Sequence, residues 1–160
     1  MKQLFTLITI LLCSFNTIAQ DSVMINKLEY STLIAHPHFK LDNNKATPVL
    51  SDDEKQTFQD ALRQHKIIVF LGTWCSDSQE RVPEFLNFLA YLDFPKENIE
   101  FFGLNEQKES DISIEKDYQI EFVPTFIFKD ITTDKETFRI IEQFEDQDIL
   151  KSFSKALSIQ

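Results

Sequence analysis

Residues 66–79 read KIIVFLGTWCSDSQ, an unbroken apolar run that ends at Gly72 and is followed closely by Cys75. Ile67 to Leu71 is rich in β-branched residues, a composition typical of a strand buried on both faces. Beyond the cysteine, apolar residues recur at helical spacing, at Val82, Phe85, Leu86, Leu89 and Leu92. The stretch therefore predicts a buried strand that runs into a helix, with Cys75 at the junction.

The remainder of the chain predicts an alternation of helices and strands. Ser51 and Glu54 form a capping-box pattern, which predicts a helix near 52–65. The other predicted elements are a strand at 99–104, a short helix at 111–118, a strand at 125–129 with a hairpin partner at 138–143, and a final helix capped by Asp146. The order α-β-α-β-α-β-β-α predicts an α/β fold in which helices sandwich a mixed sheet.

The bulk composition excludes some classes of function. With 160 residues, 42% of them hydrophobic, the chain suffices for one domain with a proper core. A net charge of −10, from 26 acidic against 16 basic residues, argues against nucleic acid as a partner, because binding the phosphate backbone needs clustered Lys and Arg.

The first 19 residues have the pattern of a secretory signal peptide. Lys2 precedes an apolar run from Leu4 to Phe15, and Thr17 and Ala19 are small residues at −3 and −1 of a cut after Ala19. An uncleaved anchor is the alternative, but this run falls short of the ~20 residues that span a bilayer. We expect a signal peptide (1–19), an N-terminal extension (20–50) with loosely helical spacing, and a main domain (51–160).

Cleavage would remove Cys13 and leave Cys75 as the only cysteine, so no internal disulfide could form. We expect an exported protein without stable membrane insertion, periplasmic if the organism has an outer membrane and otherwise secreted. A cysteine at the first turn of a helix faces unpaired N–H groups, which favour thiolate over thiol. A buried, inert cysteine is the alternative, but Ser76, Asp77 and Ser78 follow it directly, which favours exposure.

Three features at matching spacing resemble the thioredoxin superfamily. They are Trp74-Cys75 at the strand-to-helix junction, Pro83 eight residues after the cysteine, and Val123-Pro124-Thr125 farther along. The resemblance covers about residues 52–158. It implies a thioredoxin-like three-layer α/β/α sandwich in which a cis Pro124 lies beside Cys75. It also implies that the Val123 backbone pairs with an extended substrate segment, while Trp74 either offers an apolar face to the partner or is a plain core residue.

Two positions depart from the family pattern. Ser78 stands where the family has its resolving cysteine, and Val69 stands where thioredoxins have a buried acid. A serine cannot attack a mixed disulfide, so an external thiol would have to complete any turnover. Ser78 could instead donate a hydrogen bond to the Cys75 thiolate. The chain is therefore not expected to be an ordinary dithiol reductase.

These observations leave three classes of function open. The first is monothiol exchange with protein or small-molecule thiols and disulfides, with Cys75 and Ser78 as the reacting and assisting residues. The second is a non-enzymatic peptide-binding or chaperone-like module with a vestigial thiol, and the third is a structural subunit of an envelope assembly. No cofactor is implied, and no metal is expected: His36 and His38 flank a proline with no cysteine nearby, and the acidic runs lack the spacing of a calcium loop.

Overall fold

The structure, a computed structural model, describes residues 23–41 and 48–159. Five strands of this part of the chain form one mixed sheet: β1 Asn26–Leu28, β2 His65–Leu71, β3 Ile99–Gly103, β4 Thr125–Asp130 and β5 Glu136–Ile141. Five α-helices accompany them: α1 Tyr30–Ala35, α2 Asp52–Leu62, α3 Ser76–Tyr91, α4 Ile114–Asp117 and α5 Ile149–Ala156. The predicted α/β class and mixed sheet are confirmed. The signal-peptide prediction and Cys13 lie outside the described residues.

The strand predicted from the apolar run lies at the middle of the sheet, whose spatial order is β1-β3-β2-β4-β5. It pairs in parallel with β3 and antiparallel with β4, and its residues Ile67 to Leu71 are buried, as predicted. An apolar side chain on both faces is what a central strand requires when each face carries a core.

The two faces of the sheet carry cores of different size. On one face, the larger core gathers buried side chains from α1, α2, α3 and α5 with those of the strands, including a set of contacting rings formed by Phe85, Phe88, Phe126, Phe128 and Phe153. On the other face, the smaller core consists of Ile68, Phe70, Phe102, Leu104, Val123 and Ile127. Partly buried Trp74 and Cys75 pack against the smaller core, so the candidate site belongs to this face.

Several predicted boundaries shift in the structure. The capping box forms as predicted, since Ser51 Oγ accepts from the Glu54 N–H and the Glu54 carboxylate accepts from the Ser51 N–H. However, α2 ends at Leu62, because β2 already begins at His65. The predicted helix at 111–118 is reduced to the four residues of α4.

The hairpin partner predicted at 138–143 instead spans Glu136–Ile141. The reason is the turn, in which the Asp130 carboxylate accepts hydrogen bonds from the Thr132 and Thr133 N–H groups and from the Thr133 hydroxyl. An aspartate that binds the backbone two residues ahead makes a compact turn, and the chain is paired again at Lys135, where the carbonyl accepts from the Asp130 N–H.

The prediction that Asp146 caps the last helix is wrong. The cap is Asp148, whose carboxylate accepts from the Leu150 and Lys151 N–H groups. Asp146 lies in a short 3₁₀ turn with a left-handed φ of 52°, and its carboxylate pairs with Lys151.

The loosely helical pattern expected in the N-terminal extension is only partly present. Leu33 and Ile34 lie on α1, but Leu28 lies on β1, which pairs antiparallel with β3 and joins the same sheet as the main domain.

Candidate functional site

The loop from Gly72 to Cys75 joins the end of β2 to the start of α3. Strands β2 and β3 are parallel, so both end at the same edge of the sheet, and the Leu104 N–H donates to the Leu71 carbonyl there at 2.8 Å. The loop closes with a tight turn in which the Cys75 N–H donates to the Gly72 carbonyl at 3.0 Å. The cysteine thereby becomes the N-terminal cap residue of α3.

Cys75 meets the Val123–Pro124 loop across the sheet edge. Its half-buried thiol donates to the carbonyl oxygen of Val123, with Sγ and O 3.4 Å apart, and the peptide bond between Val123 and Pro124 is cis. The structure thus brings together three of the residues singled out in the sequence, although Val123 and Pro124 follow Cys75 by 48 and 49 positions.

Two further contacts fix the loop that faces the thiol. The Glu142 N–H, just past the end of β5, donates to the Pro124 carbonyl at 2.7 Å. The Thr125 hydroxyl donates to the Phe122 carbonyl at 2.7 Å. Among the described residues, none accepts a hydrogen bond from the Val123 N–H. Val123 itself is 2% exposed, and the N–H groups of Ser76, Asp77 and Ser78 in the first turn of α3 likewise have no intrahelical acceptor.

Phe122 gives this loop an apolar edge. Its side chain is 43% exposed, and the Lys108 ammonium lies 5.4 Å from the centre of its ring. A half-exposed aromatic ring next to an unused N–H group combines apolar and polar contact in one place.

Trp74 is half-buried and anchored by its indole. Nε1–H donates to the Leu104 carbonyl at 2.9 Å, and the ring packs on the smaller core. The ring occupies the space over Gly72, where an added Cβ would lie 2.7 Å from two of its atoms. Since Gly72 has no positive φ, its missing side chain makes room for Trp74 and is not needed for an unusual backbone.

Ser78 and Pro83 both lie on α3. Ser78 is fully buried, and its Oγ accepts from the Gly72 N–H at 3.2 Å. No hydrogen bond within the described ranges joins Ser78 to Cys75, so the hydroxyl holds the loop and not the thiol. Pro83 is buried inside α3, which continues through it to Tyr91.

Sequence reasoning missed two residues that also hold the loop. Thr73 is buried, and its Oγ1 accepts from the Met24 N–H at 3.1 Å, while Gln79 Nε2 donates to the Thr73 carbonyl at 2.8 Å. A glutamine in the first turn of α3, just after the cysteine motif, was the available signal for the second contact. Nothing in the sequence points to the first, because it joins residues 49 positions apart.

Glu115 is a buried carboxylate on α4, which belongs to the smaller core. Ser110 donates to its Oε2 through the hydroxyl at 2.6 Å and through the backbone N–H at 3.1 Å. Burial by itself raises the pKa of Glu115, but these hydrogen bonds and the nearby charge of Lys116 outweigh it, so the pKa lies below its ordinary value.

The two histidines of the N-terminal extension lie together but do not form a ligand set. His36 Nδ1 accepts from the His38 N–H at 3.4 Å, and the two rings are 5.6 Å apart. Across residues 23–41 and 48–159, no group of three or more His, Cys, Asp or Glu side chains is arranged to hold a metal ion. In the same part of the chain, no helix combines the length and apolar character needed to cross a membrane.

No protein-family model matches the sequence, and no curated protein matches it. Among solved structures, the chain is similar to a protein of unknown function from Pseudomonas aeruginosa, known from a crystal structure. The two are 17% identical, with a TM-score of 0.44, over 81% of this chain and 82% of that chain. A likeness this distant supports no conclusion about function.

Proposed function

We propose that this chain is a thioredoxin-like protein that exchanges thiols and disulfides through Cys75 alone. The observation that carries the proposal is the contact between Cys75 Sγ and the carbonyl of Val123, beside the cis bond to Pro124. The order of elements from α2 to α5 around a mixed sheet is compatible with a thioredoxin-like sandwich. Within the described residues, the short α4 is the helix that packs on the smaller core.

The proposed reaction begins with attack by Cys75. After losing its proton to solvent, the Cys75 thiolate attacks one sulfur of a partner disulfide. A bond forms between Cys75 Sγ and that sulfur while the partner's own S–S bond breaks. The other partner sulfur leaves as a thiolate and takes up a proton from solvent. An external thiol then attacks the mixed disulfide, releases Cys75 as a thiolate and becomes bonded to the first partner sulfur.

The absence of a second thiol explains why an external one is needed. Ser78 is fully buried and its oxygen is engaged by the Gly72 N–H. Val69, where a proton-accepting acid would serve a dithiol cycle, is fully buried among the apolar side chains of the larger core. A carboxylate there would lose its hydration without a charged partner, which is unfavourable.

The partner would bind as an extended segment. The unused Val123 N–H can donate to a partner carbonyl, as in the addition of a strand, while Phe122 and Trp74 contact its side chains. From the N-terminal sequence pattern we further propose that the protein acts after export, in the periplasm or outside the cell.

The test is adduct formation in a Cys13→Ala background, where Cys75 is the only thiol. The chain is incubated with the uncharged disulfide bis(2-hydroxyethyl) disulfide and analysed by mass spectrometry. We expect one adduct, mapped to Cys75 and removed by added thiol. The Cys75→Ser variant, which keeps the size and polarity of the residue, should form none. No adduct on the folded chain, when the unfolded chain forms one normally, would contradict the proposal.

A binding module without redox chemistry is the second candidate, favoured by the half-exposed Phe122 next to the unused Val123 N–H. The Cys75→Ala variant separates the two. If that variant retains extended peptides as tightly as the parent chain does, binding does not need the thiol. If retention depends on Cys75 and is reversed by a reducing agent, exchange is the function.

A further inference from the structure

The loop that carries Cys75 is tied down by groups that the proposed exchange reaction does not itself use. The two oxygen atoms of buried Thr73 have partners from different parts of the chain: Met24 donates its N–H to Oγ1, and Gln79 donates its side-chain amide to the carbonyl oxygen. Only Trp74 separates this residue from Cys75. The peptide unit before the site is therefore held from two sides.

The segment that brings Met24 to the loop is itself fixed by close contacts. The Met24 carbonyl passes over the end of β3 so closely that a Cβ on Gly103 would lie 2.1 Å from its oxygen. Two residues later, Asn26 donates its side-chain amide to the Asp111 carboxylate at 2.8 Å and accepts from the Asp111 N–H at 3.0 Å. Gly103 and Gly72 are the two glycines of the chain, and each leaves space beside the Cys75 loop, one for Met24 and one for Trp74.

We propose that Thr73 and Gln79 are positioning residues for Cys75, and that Met24, two residues before β1, contributes to the same task through its N–H. This inference rests on the proposed exchange function. A partner segment that pairs with the Val123 backbone puts its sulfur at one fixed place, so the Cys75 sulfur must also be at a fixed place to attack it. A small disulfide can adjust its position freely, and its reaction does not need that precision.

The test compares two disulfides in the Cys13→Ala background. One is bis(2-hydroxyethyl) disulfide, and the other is a ten-residue extended peptide whose central cysteine carries a 2-mercaptoethanol disulfide. Thr73→Val removes the acceptor hydroxyl, and Gln79→Met removes the donor amide at similar length. We expect each variant to lower the rate with the peptide by about tenfold, since small misplacements of reacting groups slow a reaction. The rate with the small disulfide should stay within about twofold of the parent value.

Two controls separate positioning from loss of structure. Thr73→Ser keeps the hydroxyl and should restore the peptide rate. Thr137→Val removes a threonine hydrogen bond elsewhere on the sheet, from the hydroxyl of exposed Thr137 on β5 to the Phe128 carbonyl on β4, and should change neither rate. Trp74, the only tryptophan, supplies a spectroscopic check, because acrylamide should quench its fluorescence more strongly in Thr73→Val than in Thr137→Val.

The outcomes are distinguishable from those of the proposed function. An unchanged ratio of peptide to small-disulfide rates in both variants would overturn the positioning role while leaving exchange at Cys75 intact. If Thr73→Val does not fold, Gln79→Met decides the matter alone. If the parent chain forms no adduct with either disulfide, both the proposed function and this inference fall.

Discussion

At the level of single residues, two side chains near Cys75 make contacts that their residue types do not suggest. The sequence suggests that Ser78 could donate to the Cys75 thiolate, yet its hydroxyl oxygen accepts a hydrogen bond from the Gly72 backbone. Gly72 itself has an ordinary φ and provides space for the Trp74 ring. In both cases the residue type is explained by a contact that fixes the loop before Cys75: the Ser78 hydrogen bond in one, and the packing of Trp74 over Gly72 in the other.

Glu115 is a buried carboxylate on α4, and its neighbour Ile114 packs against the smaller core. Its Oε2 has two hydrogen bonds from Ser110, whereas its buried Oε1 has no partner in the described parts of the chain. A carboxylate whose pKa is lowered by folding stabilises the folded state as an anion. Its contribution is present above the pKa of an unfolded glutamate and is lost as the pH falls through the lower folded value.

We predict that Glu115→Gln lowers the free energy of unfolding at neutral pH by about 1.5–3 kcal/mol, the scale of a hydrogen bond to a charged group. The difference from the parent chain should vanish as the pH falls below the titration range of a glutamate. Urea unfolding at a series of pH values measures both effects. Glu109→Gln, which changes an exposed carboxylate of the same loop, is the matched control. A difference that persisted unchanged into acid would contradict the assigned role of the anion.

At the level of elements, the short strand β1 attaches the N-terminal extension, of which it is a part, to the sheet beside the site. It is three residues long and pairs with β3 through Asn26, Lys27 and Leu28. Its pairing partner ends at Gly103, where the Met24 carbonyl needs the space that a side chain would fill. The position of β1 therefore depends on Gly103 at the end of β3 as well as on the residues of β1 itself.

We predict that Gly103→Ala destabilises the chain by about 1–3 kcal/mol, the usual cost of overpacking. The obstructing atoms at this position belong to the Met24 backbone, so β1 must shift and the Met24 N–H should exchange faster with solvent. Gly72→Ala is the comparison, because the obstructing atoms there belong to the Trp74 side chain, which can rotate. Denaturant unfolding with amide hydrogen exchange measures both. Gly103→Ala with protection at Met24 equal to that of the parent chain would contradict this account of β1.

At the scale of the whole molecule, most of the buried apolar surface lies on the face of the sheet opposite Cys75. The larger core contains contacting aromatic rings. The centroid of the Phe85 ring lies 4.1 Å from that of Phe126 and 5.2 Å from that of Phe153. The smaller core has fewer residues and includes half-buried Trp74 and Cys75. The larger core, which should contribute most of the stability, and the candidate reactive residue Cys75 therefore lie on opposite faces of the sheet.

We predict that Phe153→Ala costs about 3–5 kcal/mol, the range for removing a fully buried phenylalanine. Phe122→Ala should cost about 1 kcal/mol or less, since its side chain is half-exposed. Phe122→Ala should instead weaken retention of an extended peptide beside Cys75. Thermal or urea unfolding and a peptide-binding assay separate the two variants. Equal losses of stability would contradict the division of roles between the two faces.

The order of the main elements and the place of Cys75 could be predicted from local sequence patterns. An apolar run from Ile67 to Leu71 is sufficient to predict a central strand, and the helical spacing after it predicts α3, because both patterns are local consequences of burial. The capping box at Ser51 was equally readable, since its partners are three residues apart.

Apart from the Val123–Pro124 loop, whose place beside Cys75 the resemblance predicts, the groups around the thiol could be found only from the folded chain. The contacts of Cys75 with Val123, of Trp74 with Leu104 and of Thr73 with Met24 join residues 30 to 49 positions apart. Such contacts depend on which strands become neighbours, and no local pattern in the chain encodes that choice. Sheet pairing also decided that β1 lies beside β3, because a three-residue strand has too little periodicity to be recognised without its partner.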